Sequence, residues 1–266
     1  MNADRIIRWF LWVYLIVVFG FVFMPIITSV IFSFNSDRFP TIPLGSFTLK
    51  WYQTVLNDPG FWDAAGTSLI VSVCSGVLAT LIGFCTAYTD FRYHFRFKGA
   101  YIALALLPPT IPLIILALAM LAWLSRLNAS GQVWSIIIAH TVLCAPFAMG
   151  VIRLRLQQMD PDLESAAWNL GASEWDAMRS VVLPFARPAL VSAFCLTMAV
   201  SFDEFTVAWF VSGLNKTIPV AILEVLQGTV DPQINAIGSF VFLTSITLVI
   251  VAQLIFITRS NRSKLQ

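Results

Sequence analysis

The sequence predicts an all-α integral membrane protein with about six transmembrane helices, and three observations carry that prediction. Hydrophobic residues make up 58% of the 266 residues and charged residues only 11%, against about 25% charged in an ordinary soluble domain. Too little polar surface remains to cover a soluble fold. The apolar residues gather into runs long enough to cross a hydrocarbon core about 30 Å thick, which takes about 20 residues. Lysine and arginine are also shared unequally between alternate connections, as they are in multi-span proteins.

Six runs qualify as spans, at 9–34, 64–89, 100–125, 133–152, 188–212 and 234–258. The backbone of each must satisfy its own polar groups in lipid, which requires helices. Barrel strands would need alternating segments of about ten residues, and that pattern is missing. The whole chain, 1–266, is therefore expected to form a single transmembrane domain.

Taken in order, the first run follows Arg5 and Arg8 and contains no charge. It is too long for a signal-peptide core and no A-x-A site follows, so a retained span is expected. The second run reads as a plain apolar helix. The third is interrupted by Pro108, Pro109 and Pro112. A static kink is the expectation there, with a hinge or pathway wall as the alternative. The fourth carries His140, expected as a hydrogen-bonded interior residue. The fifth holds Asp203 and Glu204, and the sixth is apolar throughout. Cys74, Cys85, Cys144 and Cys195 lie in apolar runs without C-x-x-C spacing and read as small core hydrophobes, with neither disulfide nor metal role.

With the amino terminus inside, the inner segments hold Arg5 and Arg8; Arg92, Arg96 and Lys98; Arg153, Arg155, Arg179 and Arg187; and Arg259, Arg262 and Lys264. Only Arg38, Lys50, Arg126 and Lys216 fall outside. Both termini are accordingly expected in the cytoplasm. His94 lies within the second basic segment, and Glu224 falls in the last outer loop. The outer segment 35–63 contains Pro40, Pro43 and Pro59, and its stretch 47–56 suits a short surface helix carrying Trp51 and Tyr52.

The inner segment 153–187 is the longest connection and the most polar. Asp160, Pro161 and Asp162 place acids and a proline at a helix start. Leu163, Ala166, Ala167 and Leu170 then fall on one stripe, and Gly171 ends the helix. A second helix, about 173–182, has Ser173 as its N-cap and is expected to stop at Pro184. A small, apolar, glycine-jointed surface outside the bilayer suits insertion into a cleft on another protein.

At these residues the chain resembles the permeases of binding-protein-dependent ABC importers. Their loop motif, E-A-A-x-x-x-G-A followed by a hydrophobic-x-Leu-Pro, is matched by Ser165-Ala166-Ala167, Gly171-Ala172 and Val181-Val182-Leu183-Pro184. The resemblance implies the methionine-importer-like permease fold and a coupling loop, with Glu164, Ser165, Ala166, Ala167, Gly171, Ala172, Leu183 and Pro184 docking into an ATPase. One position departs: Ser165 stands where the motif has Glu, and Glu164 lies one place earlier. Further matches extend along the chain: Phe34-Asn35, the run from Phe47 to Tyr52, His140 to Phe147, Ser201 to Phe205, and Val230 to Ala236. These look like the spermidine/putrescine group of permeases.

The resemblance implies partners: a second permease chain, two ATPase subunits carrying ATP and Mg, and a periplasmic solute-binding protein, all assembled at a bacterial inner membrane. It implies a small organic cation such as a polyamine as cargo, with opines, amino-acid derivatives, phosphonates and iron as alternatives. The residues agree in part. No G-x-x-x-x-G-K-[ST] phosphate cradle occurs, so this chain is expected to hold no nucleotide or other cofactor and to be no enzyme. No basic patch favours nucleic acid. An intramembrane enzyme would need a nucleophile and base on facing helices, and a stand-alone secondary transporter would show internal repeats.

Asp203 and Glu204 are the acids well inside a span, where a carboxylate costs about 2.5–3.5 kcal/mol. Phe202, Phe205 and Trp209 add aromatic faces that attract ammonium groups. Two readings stand. Either the acids line a cation route, or Asp203 caps or pairs within the bundle, with His140 as one candidate partner.

Overall fold

The computed structural model describes residues 3–37, 43–160, 162–228, 233–243, 246 and 247. They fold as helices, with one isolated antiparallel bridge between Asn35 and Phe47. Most of the sixth span lies outside the described residues, as do Arg38, Pro40, Pro161, Val230 to Pro232, Arg259, Arg262 and Lys264. Two compact units are formed, one from Met1–Phe61 with Ile222–Gln266 and one from Trp62–Ala221.

In the first unit, α1 (Ala3–Phe32) is apolar on every side from Trp9 onward and exposes Trp9, Phe10, Trp12 and Phe21. A helix apolar all round belongs in lipid. Its end is tied by Ser33 Oγ, 2.7 Å from the Tyr52 hydroxyl on α2 (Lys50–Leu56), and by Trp51 Nε1 donating to the Asn35 carbonyl. Phe34 stacks on Phe47 and packs at a tilt against Tyr52. The outer segment thus forms the expected short helix. The described part of the sixth span, α12 (Gln233–Leu243), joins α1 through Ser29 Oγ donating to Asn235 Oδ1 at 3.2 Å.

In the second unit, α3 (Pro59–Arg92) and α6 (Val133–Leu156) are long enough to span. They approach so closely that a Cβ on Gly83 would fall 2.6 Å from the Met149 backbone nitrogen. Small residues permit such contacts where lipid removes the hydrophobic drive between helices. The third span departs from the expected kink. It separates into α4 (Lys98–Ala105), a 3₁₀ turn over Pro108–Thr110, and α5 (Leu113–Arg126). Each proline lacks an N–H, and each disfavours helical geometry in its predecessor; three within five positions leave no room for a continuing ladder.

The cytoplasmic segment forms α7 (Asp162–Asn169) and α8 (Glu174–Ala177). The predicted stop at Pro184 does not occur. A π-helical turn, Met178–Val182, leads directly into α9 (Leu183–Asp203). Pro184 lies at the start of α9, where the wider turn relieves the missing N–H and the ring clash. The fifth span in turn is not continuous to residue 212: it breaks at Glu204 and resumes as α10 (Thr206–Val211). Helix α11 (Ile218–Gly228) follows and carries Glu224, half-buried on a helix rather than in the expected loop.

The core of this unit is layered. An apolar cluster built on Val71, Leu116, Leu124, Ile136, Ala139, Leu143, Val207 and Val211 occupies its outer half. A second, built on Ala87, Ala148, Met149, Ile152, Leu156, Val182, Ala186 and Ala193, occupies its inner half. Buried Ser72, Ser75, His140, Thr197, Ser201 and Glu204 come at intermediate positions of the same helices. Of the cysteines read as core residues, Cys144 is buried, Cys74 is half-buried, and Cys85 and Cys195 are exposed; all four are free thiols.

Candidate functional site

Two groups of residues carry the chemistry. The first is the cytoplasmic helix pair. Ala172 N–H donates to the Ala167 carbonyl at 3.0 Å and Gly171 N–H to the Trp168 carbonyl at 2.9 Å. Together they make a Schellman motif whose left-handed position is Gly171, at φ +87°, the conformation that glycine adopts without a Cβ penalty. The second alanine and the glycine-alanine pair of the loop are therefore the atoms of a helix stop. Ser173 opens α8 at once: its hydroxyl accepts from Asp176 N–H, while its own N–H faces the Asp176 carboxylate.

The faces of α7 are unusual for a helix packed on a protein. Leu163, Ala166 and Leu170 point outward, with Leu170 89% exposed, and Trp175 on α8 is exposed beside them. Ser165, Ala167 and Ala172 are half-buried, as is Leu183; Pro184 is exposed. Glu164 points the other way and is only 2% exposed. It accepts from the Tyr88 hydroxyl at 3.0 Å and pairs with Arg92 Nε at 3.4 Å. The Arg92 guanidinium also lies 4.3 Å from the centroid of Trp168, one turn after Glu164. Beside this group, Asp90 takes ion pairs from Lys98 and from Arg153, whose Nε is 2.5 Å away. Arg155 stacks on Phe185 at 4.1 Å and donates to its carbonyl.

The second group is the polar layer. Glu204 is buried, and its carboxylate accepts from the N–H groups of Val207 at 2.9 Å and Ala208 at 3.1 Å, so it caps α10. His140 Nε2 lies 3.4 Å from the same carboxylate. His140 Nδ1 is 2.8 Å from Ser201 Oγ, which is 2.8 Å from Ser75 Oγ. Ser75 thus donates to Ser201, which bonds His140 Nδ1, while His140 Nε2 lies beside the Glu204 carboxylate without a hydrogen bond to it. The capping residue is thus Glu204 and not Asp203. Asp203 is exposed, with no hydrogen bond or ion pair among the described residues.

Sequence order alone suggests that adjacent acids share a task, but the break between them turns the two side chains to different surroundings. Phe205 and Trp209 pack against the outer cluster with ring centroids 6.0 Å apart, and Phe202 is half-buried. Sequence reasoning missed Ser75, Tyr88, Arg92 and Trp168 as partners. The sequence signal available is spacing by four within one helix, which pairs Tyr88 with Arg92 and Glu164 with Trp168; nothing in it links Ser75 to His140. Among the described residues, no group of three or more His, Cys, Asp or Glu side chains is arranged to hold a metal.

The chain as a whole is similar to known transport proteins. The family described as binding-protein-dependent transport system inner membrane component matches residues 79–263. The spermidine/putrescine transport system permease protein PotC of Haemophilus influenzae is 34% identical over 249 residues, covering 93% of this chain and 96% of that protein. Among solved structures, a bacterial ABC transporter involved in import of the acidic polysaccharide alginate superposes with a TM-score of 0.71. It is 19% identical, covering 96% of this chain and 97% of that one. The MetNI methionine ABC transporter in an inward-facing conformation gives 0.60 at 20% identity, covering 80% of this chain and 99% of that one. At these identities the structural matches speak for the fold.

Proposed function

We infer function from one premise: the chain belongs to the family of binding-protein-dependent transport system inner membrane components. It is a transmembrane permease of an ABC importer, and its cargo is a small organic cation of the polyamine class, as in the relative named for spermidine and putrescine. The observation that carries the mechanism is the outward apolar face of α7 and α8, jointed at Gly171, outside the spans. An exposed Leu163, Leu170 and Trp175 on the cytoplasmic side supports docking into a cleft on a separate ATPase. The whole of 1–266 acts as one permease domain paired with a second, paralogous chain in a bacterial inner membrane. ATP and Mg reside on two ATPase subunits, and a periplasmic solute-binding protein delivers cargo.

Alternating access follows from these parts. Closure of the ATPases moves the docked helices, and the spans reopen outward. Asp203 is the cargo-facing acid in this reading, with Phe202, Phe205 and Trp209 supplying aromatic faces for an ammonium group. Glu204 holds the break in place behind it. Co-purification with an ATPase, and turnover stimulated by loaded binding protein, tests the assignment. An isolated chain that assembles with no ATPase contradicts it.

A further inference from the structure

Docking alone does not move a span; the docked helix must also be fixed to one. We propose that Glu164 is the positioning residue that does this, latching α7 to the end of α3 rather than meeting the ATPase. The inference rests on the importer reading above and assigns a partner to the residue that the loop motif leaves unexplained.

Four observations converge. Glu164 is 2% exposed although α7 lies on the surface, so its carboxylate is turned from any docking partner. Both its oxygens are engaged by one helix, through Tyr88 and Arg92. Arg92 in turn faces the Trp168 ring from 4.3 Å, so one guanidinium touches two residues one turn apart on α7. With its carboxylate buried, the pair is screened less by water and salt than a surface pair. The neighbouring Asp90 ties α4 and α6 to the same end of α3. Force applied to α7 therefore enters α3 at Tyr88 and Arg92.

Shifting an acid by one position on a helix turns it by about 100°. Ser165 occupies the position next to Glu164 and is only half-buried. The two positions thus face different ways: the acid is used inward and a small hydroxyl is left toward the docking side.

The test uses the full chain, purified with its ATPase and second permease. For Glu164→Gln and Arg92→Gln, the ATPase should still co-purify, while ATP consumed per cargo molecule imported rises at least fivefold. Amide exchange across 162–169 should quicken at least tenfold. Tyr88→Phe, which removes one oxygen only, should give a smaller change in the same direction. The exchanged pair Glu164→Arg with Arg92→Glu should return coupling to within about threefold of the original. Loss of the ATPase from Glu164→Gln with exchange at 162–169 unchanged overturns the latch and places Glu164 on the docking surface. Unchanged coupling and unchanged exchange also overturn it. Failure of the original chain to bind any ATPase overturns the importer reading instead, and the exchange measurement on the permease alone still decides the latch.

Discussion

Asp203 and Glu204 are neighbours in sequence with opposite circumstances, and their substitutions should separate. Asp203→Asn removes charge from an exposed carboxylate without internal partners among the described residues. Cation uptake in reconstituted liposomes should fall at least tenfold with the melting temperature unchanged. Normal uptake would return Asp203 to a structural role. Glu204→Gln leaves the α10 cap weakened and removes the carboxylate charge beside His140. A lost hydrogen bond to a charged group costs about 1.5–3 kcal/mol, so a lower melting temperature in detergent is expected. An unaltered melting curve would show that the cap contributes nothing. The sequence made both acids visible through their cost in lipid. It could not tell them apart, because the break that separates them has no proline or glycine to announce it. The break is made by Glu204 itself, whose side chain takes the N–H groups that the helix would otherwise have used.

At the scale of elements, glycine and proline carried most of what could be read in advance, with uneven success. Gly171 was legible because a left-handed stop after an apolar stripe has a sequence form. Its replacement by valine forces a β-branched residue to φ +87°, at about 1–2 kcal/mol or more. ATP turnover should then lose its link to uptake, with membrane insertion normal, and unchanged uptake would remove the docking role from this joint. Gly83 reports on packing rather than turns. Gly83→Ala places a Cβ 2.6 Å from the Met149 nitrogen, so α3 and α6 must part. Thermal unfolding should come several degrees earlier, and an equal or higher melting temperature would contradict the close crossing. The prolines misled in both directions. Three of them broke the third span outright where a kink was expected, because their effects compound. Pro184, expected to end a helix, is carried through by a π turn. Proline states which bond is missing, and only the neighbouring turn decides how the chain absorbs the loss.

For the molecule as a whole, composition was enough for the membrane and the helices, since 11% charged residues cannot cover a soluble surface. Lysine and arginine then set the sides. What composition could not supply was the arrangement of polar residues across helices, because Ser75, His140, Ser201 and Glu204 come from three separate stretches of chain. The same limit hid the pairing of Glu164 with Tyr88 and Arg92, which lie far earlier in the chain. This chain is expected to move cargo only as one part of an ATP-driven importer. The most direct measurement is uptake of labelled spermidine into liposomes holding the chain with its second permease and ATPases, in the presence of the binding protein. Uptake should require ATP at the ATPase face and should vanish when the ATPase is omitted. Uptake by the purified chain alone, driven by an ion gradient, would contradict the account.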